Sequence, residues 1–408
     1  MFQRRKPLLS SLLITFVLSL ASGCQAKPPA ATSPRAEKPV AQAPDPVTVN
    51  VPVQANSEEF VPKVAEGFVV KEWARVPGAR SLALSPDARV LFVGTRLGSV
   101  YKVSLSGQEP EVVKFQENLN GSNGVCFYQN DLIVGELLRV RRFSAEKGFP
   151  ADDPGRVILE GLPNEKHHGW RYLRTGPDGR IRISIGAPCN VCERPDDKRF
   201  GSICSFTGEG EDFRVESSGI RNSVGFDWEP ESGDFYFTDN GRDLLGDDLP
   251  PCELNRRPAG HTGGHYGFPY RYGDNQPDPD FEDKAPEIDF RPPFVGFGAH
   301  VAPLGCYFPK GVLLKKSLPR KVLVAQHGSW NRSTPSGYRA VTVDLESRKV
   351  EPFLWGFLNL EGQRPLSFGR PVDFAELPDG TLLVSDDQRG VIWSVRVNTA
   401  SEPLNSDG

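Results

Sequence analysis

One pattern recurs along this chain and leaves few folds open to it. A Pro/Asp/Gly turn is followed by a short apolar or alternating strand, then by a second turn and often a second strand. It begins at Ser85 (SPDARVLFVGTRLGSVYKV), Tyr128 (YQNDLIVGELLRVRRF), Gly176 (GPDGRIRISIG), Glu229 (EPESGDFYFTDNG), Leu318 (LPRKVLVAQHGSW) and Leu377 (LPDGTLLVSDDQRGVIWSV). Asp-Gly-type turns between β-branched and aromatic runs are hairpin signals. Copies spaced about 45 to 90 residues apart fit blades with uneven loop insertions. Radial repetition also protects sheet edges, so the expected fold is all-β, a six-bladed β-propeller over residues 61–400. The 41 Gly and 37 Pro among 408 residues supply the turns, and no segment carries a long amphipathic helix. Propellers place function on loops at the mouth of the central channel. The stretches 186–213 and 241–294 are expected to build that mouth.

The two ends read differently. Residues 1–23 form an export signal, with Arg4, Arg5 and Lys6 ahead of an apolar run over 8–20. The run ends in LASGC, the spacing of a bacterial lipoprotein signal, with Ala21 at the position usually held by Leu. Cys24 is therefore expected to carry a lipid that anchors the chain to a membrane of the cell envelope, facing the periplasm or the exterior. Residues 24–60, interrupted by Pro28, Pro29, Pro34, Pro39, Pro44, Pro46 and Pro52, read as an extended tether, and 401–408 as a tail. The net charge of -4 offers no basic stripe to release counterions, so nucleic acid is not an expected partner. Six further cysteines suit an oxidising compartment: Cys126, Cys189, Cys192, Cys204, Cys252 and Cys306. Their pairing is not readable from sequence, but a local disulfide between Cys189 and Cys192 is the favoured reading of that C-x-x-C.

Several polar residues fall at equivalent blade edges. His168, in KHHGWRYLRTGPDG, has the right pKa range for a general base. Arg221 and Asn222, in GIRNSVGFDW, offer a planar fork and an amide for carboxylates or an oxyanion. Asp239, Asn240, Asp243, Asp247 and Asp248 crowd a Gly-containing loop whose oxygens suit Ca²⁺. His327, Trp330, Asn331 and Arg332 follow an apolar strand, and Arg370, Asp386 and Asp387 complete the set.

The ordered run HHGWRYLRTGPDG, GAPCNVC, GIRNSVGFDW, FTDNGRDLLGDDLPPCELN, HYGFPY, APLG, VAQHGSWNRS and GRPVD…LPDGTLLVSDD resembles the glucose/sorbosone dehydrogenase family, and within it the sorbosone dehydrogenase branch. The likeness spans about residues 68–397. It implies a six-bladed propeller that binds pyrroloquinoline quinone (PQQ) with Ca²⁺ and oxidises a sugar or aldehyde, passing electrons to an unidentified acceptor. The family's catalytic histidine lies eight residues before the Gly of its GPDG-like turn, which is His168 here. By that resemblance His168 takes a proton from the C1 hydroxyl while hydride passes to the quinone. Arg221 and Asn222 then match the pair that touches the quinone oxygens, and Arg370 an arginine facing the cofactor carboxylates. The calcium carbonyls fall on Gly241 and Arg242, with Asp248 close by.

The chain departs from the family pattern in places. The site of a cofactor-binding lysine reads Gln326-His327, and Val372 stands where a second arginine is found. Asn120 and Asn123 lie nearest the place of a first-loop glutamine. Compensation is expected from His327, Arg242 or Arg332. Two other classes stay open: a non-catalytic propeller that binds glycan or protein, and a Ca²⁺-dependent lactonase.

Overall fold

The computed structural model describes residues 60–107, 109–361 and 364–399. The expected signal, lipidated cysteine, most of the tether and the C-terminal tail lie outside the described residues. Each recurring motif supplies the second strand of one blade: Val90–Thr95, Asp131–Gly135, Ile181–Ile185, Phe235–Asp239, Lys321–Gln326 and Leu382–Asp386. Beside each lies an inner strand: Ala79–Leu84, Gly124–Tyr128, Leu173–Thr175, Phe226–Trp228, Pro303–Tyr307 and Pro371–Glu376. Six antiparallel sheets result, each built outward from its inner strand, and together they form a β-propeller.

The second strands are buried along nearly their whole length. Neighbouring blades cover both of their faces, so they read as continuous apolar runs. The hydrophobic core accordingly divides into clusters that fill the seams between blades. Trp393, Phe357, Phe374 and Tyr307 pack between blades 5 and 6, and Phe92, Phe115 and Phe143 between blades 1 and 2. Burying one such side chain is worth ~1.5–3 kcal/mol, so each seam contributes several such increments.

The ring closes on itself. Phe68–Arg75, from the N-terminal side, pairs antiparallel with Val391–Val397, with Phe68 opposite Val397. The last blade thus takes its outer strand from the start of the domain and leaves no open seam. Near the axis, two buried carboxylates tie inner strands together. Asp227 pairs with Arg174 at 2.9 Å and accepts from the Phe308 amide at 3.0 Å. Asp373 accepts from the Leu82 amide at 3.1 Å and from the Tyr172 hydroxyl at 3.4 Å.

The two expected mouth insertions are narrower than the sequence suggests. Ser202–Phe206 is a buried strand of blade 3, so only the segment before it is a loop at the mouth. In the second, Pro251–Arg257 is the third strand of blade 4, and 258–294 is an excursion leading to its outer strand, Val295–Ala299.

Candidate active site

In three blades the residues that follow the second strand reach the mouth of the channel. Blade by blade, this supplies Arg96, Asn240 with Gly241, and His327. Loops that lead into the inner strands supply His168, Arg221 with Asn222, His300 and Arg370. Arg80, at the start of the first inner strand, joins them. All of these line one cavity of about 350 Å³.

His168 has a left-handed backbone, φ 51°, and its Cβ sits tight against Gly186. A Cβ on Gly186 would lie 2.5 Å from that of His168, so only glycine lets the two backbones approach this closely. The His168 Nδ1 lies 2.8 Å from the Ala187 carbonyl. A carbonyl only accepts, so Nδ1 carries the hydrogen and Nε2 keeps its lone pair. Burial, and after it the positive charge of Arg221, holds the pKa well below 6.5. His168 is therefore a neutral imidazole with an oriented basic nitrogen. His167, its exposed neighbour, has its ring 4.0 Å away.

Arg221 is 5% exposed, and protein acceptors use all five of its N–H groups. Nε donates to the Asn190 carbonyl at 2.8 Å. Nη1 donates to the carbonyls of Asn240 and Gly241 at 3.1 and 2.9 Å. Nη2 donates to Asn190 Oδ1 and Asp243 Oδ2 at 2.9 and 3.0 Å. What Arg221 offers the cavity is its charge rather than a free donor. Its backbone is pinned as well, because Asp239 accepts the amides of Arg221 and Asn222 at 2.9 and 2.6 Å. Asp386 does the same for Arg370, at 2.9 Å, from the equivalent strand end of blade 6. Burial raises both carboxyls to about 6.

Opposite His168 stands a second polar group. His327 Nε2 lies 2.8 Å from Asp387, whose other oxygen accepts from Arg80 Nη1 at 2.5 Å. Burial pushes Asp387 upward, but His327 and Arg80 outweigh it and keep the carboxylate ionised. Burial, with Arg370 next, lowers His327 to about 3, so its ring is neutral and Nε2 is the donor. Arg80 is fully buried and spends Nε on Asn123 Oδ1 at 2.6 Å, while its Nη2 has no partner. Asn331 Oδ1 is likewise buried and unpartnered, while its Nδ2 donates to Asp243 at 2.7 Å. Arg96 lies over the Trp170 ring at 4.3 Å. Arg370 donates to the carbonyls of His327 and Gly328 at 2.8 and 2.5 Å.

The structure thus gathers His168, Arg221, Asn222, Gly241, His327 and Arg370 around one cavity. Asn120 is elsewhere, with its amide donating to Glu136 at 3.0 Å. Arg332 and Asp248 pair with each other on the rim at 2.9 Å, and Asp248 is largely exposed. Arg242 turns away from the cavity to Asp278 and Asp280 at 2.8 and 2.9 Å. The compensating cations therefore come from blade 1, as Arg80 and Arg96, and not from Arg242 or Arg332, while His327 lines the cavity as a neutral ring. Sequence reasoning missed Arg80, Arg96, Trp170 and His300. The available signal was position, since PGARSL places Arg80 at the start of its inner strand much as FGRPVD places Arg370.

Of the expected calcium donors, Gly241 lines the cavity and Asp248 does not. The Gly241 carbonyl accepts from a guanidinium, Asp248 stays on the rim, and no group of three His, Cys, Asp or Glu among the described residues is arranged to hold a metal. The quinone fares better. Four guanidiniums and an unpartnered buried donor suit a flat polycarboxylate. Of the sulfur groups, Cys189 and Cys192 form the local disulfide, while Cys126, Cys204, Cys252 and Cys306 are free and buried.

Known proteins share this fold. Residues 261–398 match the TrAA12-like family model. The fold is similar to that of the Trichoderma reesei carbohydrate-active enzyme of family AA12, with a TM-score of 0.70, 18% identity, and coverage of 83% of this chain and 97% of that one. It is similar to the PQQ domain of Coprinopsis cinerea pyranose dehydrogenase, with a TM-score of 0.65, 18% identity and coverage of 86% and 99%. The soluble aldose sugar dehydrogenase of Escherichia coli follows, with a TM-score of 0.57, 16% identity and coverage of 81% and 100%. At these identities the likeness is one of fold. An uncharacterized protein of Borreliella burgdorferi is 39% identical over 355 residues, which are 82% of this chain and 90% of that one. The chain therefore belongs to one family with the Borreliella protein, on a six-bladed propeller whose C-terminal part is TrAA12-like.

Proposed function

We propose that the chain is a PQQ-dependent dehydrogenase of sugars or sugar aldehydes, of the sorbosone or aldose kind. The observation that carries this reading is the cavity itself, where a neutral, oriented imidazole faces a wall of guanidiniums that includes one unsatisfied buried donor. Arg80, Arg96 and Arg370 would hold the cofactor's carboxylates, with the Arg221 charge behind them. When bound, the quinone supplies the two-electron acceptor for hydride from the substrate carbon. His168 Nε2 accepts the proton of the substrate hydroxyl, and the Ala187 carbonyl stabilises the imidazolium that forms through its bond to Nδ1–H. Asn331 Oδ1 is the acceptor for a second substrate hydroxyl. No step is assigned to calcium. By its sequence signal the chain would work at the cell envelope, held by a lipid on Cys24, and hand electrons to an acceptor there.

The test is dye reduction by the full chain with PQQ across a panel of aldoses and sugar aldehydes. Quinone-dependent turnover on at least one substrate is expected. Absence of both turnover and retained quinone absorbance would favour the glycan- or protein-binding propeller instead.

A further inference from the structure

The candidate base and the candidate guanidinium are set by one short segment, Ala187 to Cys192. The Ala187 carbonyl accepts from His168 Nδ1 at 2.8 Å, and the Ala187 amide donates to the Arg221 carbonyl at 2.8 Å. Three residues on, Asn190 takes two of the five Arg221 donors, through its carbonyl at 2.8 Å and its Oδ1 at 2.9 Å. The same side chain holds the Asp243 backbone on both sides. Its Oδ1 accepts the Asp243 amide at 2.8 Å, and its Nδ2 donates to the Asp243 carbonyl at 3.1 Å. Asp243 in turn grips Arg221 and Asn331 at 3.0 and 2.7 Å. The segment has no regular secondary structure to fix it. Besides these hydrogen bonds, the Cys189–Cys192 disulfide ties it, closing a small ring with Asn190 inside it. Both cysteines are half-buried, and Cys192 lines a separate open cleft of about 580 Å³. The other four cysteines are buried and unpaired, so this is the one disulfide among the described residues.

We propose that Cys189–Cys192 is a redox-responsive clamp, that Asn190 is the positioning residue it presents to Arg221, and that reducing the bond loosens Arg221 and His168 together. Reduction takes two electrons and two protons from a dithiol. The S–S bond breaks to two cysteine thiols, and the dithiol leaves as its own cyclic disulfide. Freed from the ring, the 187–192 segment regains backbone freedom, and two of the five anchors of Arg221 go with it. The consequence for turnover rests on the dehydrogenase reading, but the structural coupling does not.

The test reads that coupling without quinone. Nitrogen-15 spectra of the full chain follow the His168 ring and the Arg221 Nε–H in the oxidised protein, after dithiol reduction, in Cys189→Ser/Cys192→Ser and in Asn190→Ala. Thiol counting confirms the redox state, and the indole N–H of fully buried Trp393 serves as the control for general unfolding. In the oxidised protein His168 should give the Nδ1–H tautomer, and Arg221 Nε–H should exchange slowly. Reduction should mix the tautomers and speed Nε–H exchange by about tenfold, the scale expected for losing a hydrogen bond of ordinary net strength. Asn190→Ala should speed the exchange with the disulfide intact. Unchanged His168 and Arg221 signals in a chain shown to be reduced would overturn the clamp. So would changes that the Trp393 indole shares equally, because they would report loss of fold. A protein that shows the coupling yet never binds quinone would leave the clamp standing and refute the dehydrogenase reading.

Discussion

At the scale of single residues, the chemistry rests on where protons sit. The His168 ring is partly buried and close to a guanidinium, so its conjugate acid is disfavoured, and its Nδ1–H is committed to the Ala187 carbonyl. A base in this state is active when deprotonated, and its pKa lies well below 6.5. The rate profile against pH should therefore stay flat through neutrality and fall only on the acid side, below the ordinary histidine range. His168→Ala should lower kcat by about 100- to 10,000-fold, the usual contribution of a positioned general base. PQQ binding should be nearly unchanged, because the ring acts on substrate. Steady-state kinetics beside a quinone titration check both halves. Equal turnover in the variant, or a pH profile that breaks at or above 6.5, would remove His168 from this role.

At the scale of elements, blade 4 carries a buried acid with a measurable signature. Glu253, in Pro251–Arg257, accepts from the Gly273 amide at 2.8 Å and lies 3.1 Å from Asn255 Nδ2. Burial, with nearby Asp239 next, raises its pKa to about 8 from an ordinary 4.5. It is thus protonated at neutrality. The buried, unpartnered Asn255 Oδ1 becomes the acceptor for its hydroxyl once the amide is turned over. A folded pKa above the unfolded one means that stability is whole below about 4.5 and drains as pH rises toward 8. Glu253→Gln, a neutral mimic, should match wild type near pH 4.5 and gain on it progressively up to about pH 8, as denaturant melts at several pH values would show. A gap that does not depend on pH would mean that Glu253 is ionised in the fold.

The element scale also shows what the sequence disclosed. The second strand of every blade was legible, because burial between two neighbours writes a continuous apolar run bounded by turns, as in KVLVAQ and FYFTD. His327, just past one of those strands, was legible too, as were His168, Arg221 and Arg370 on the loops that lead into inner strands. Arg80 was not, because its role depends on Asp387, 307 residues away, and only ring closure brings the two into contact. Arg242 and Arg332, expected as cations for the cofactor, misled for the same reason. The excursion over 258–294 returns Asp278 and Asp280 to neutralise Arg242, and Arg332 pairs with Asp248 on the rim.

For the molecule as a whole, the propeller brings to one point groups that no local segment could assemble. Blade 1 gives Arg80 and Arg96, the loop before blade 3 gives His168, and the loop before blade 4 gives Arg221. The loops before and within blade 5 give His300, His327 and Asn331, and blade 6 gives Arg370. The excess of fixed positive charge is tolerated because Asp243 and Asp387 balance part of it, which leaves the remainder for an anionic guest. Calorimetric titration of the full chain with PQQ, for wild type and Arg80→Ala, measures this directly. Binding should saturate at one quinone per chain and weaken about 10- to 100-fold when the Arg80 guanidinium is removed, as suits loss of a charge-assisted hydrogen bond. No binding heat in the wild type, or an affinity that Arg80→Ala leaves unaltered, would contradict it.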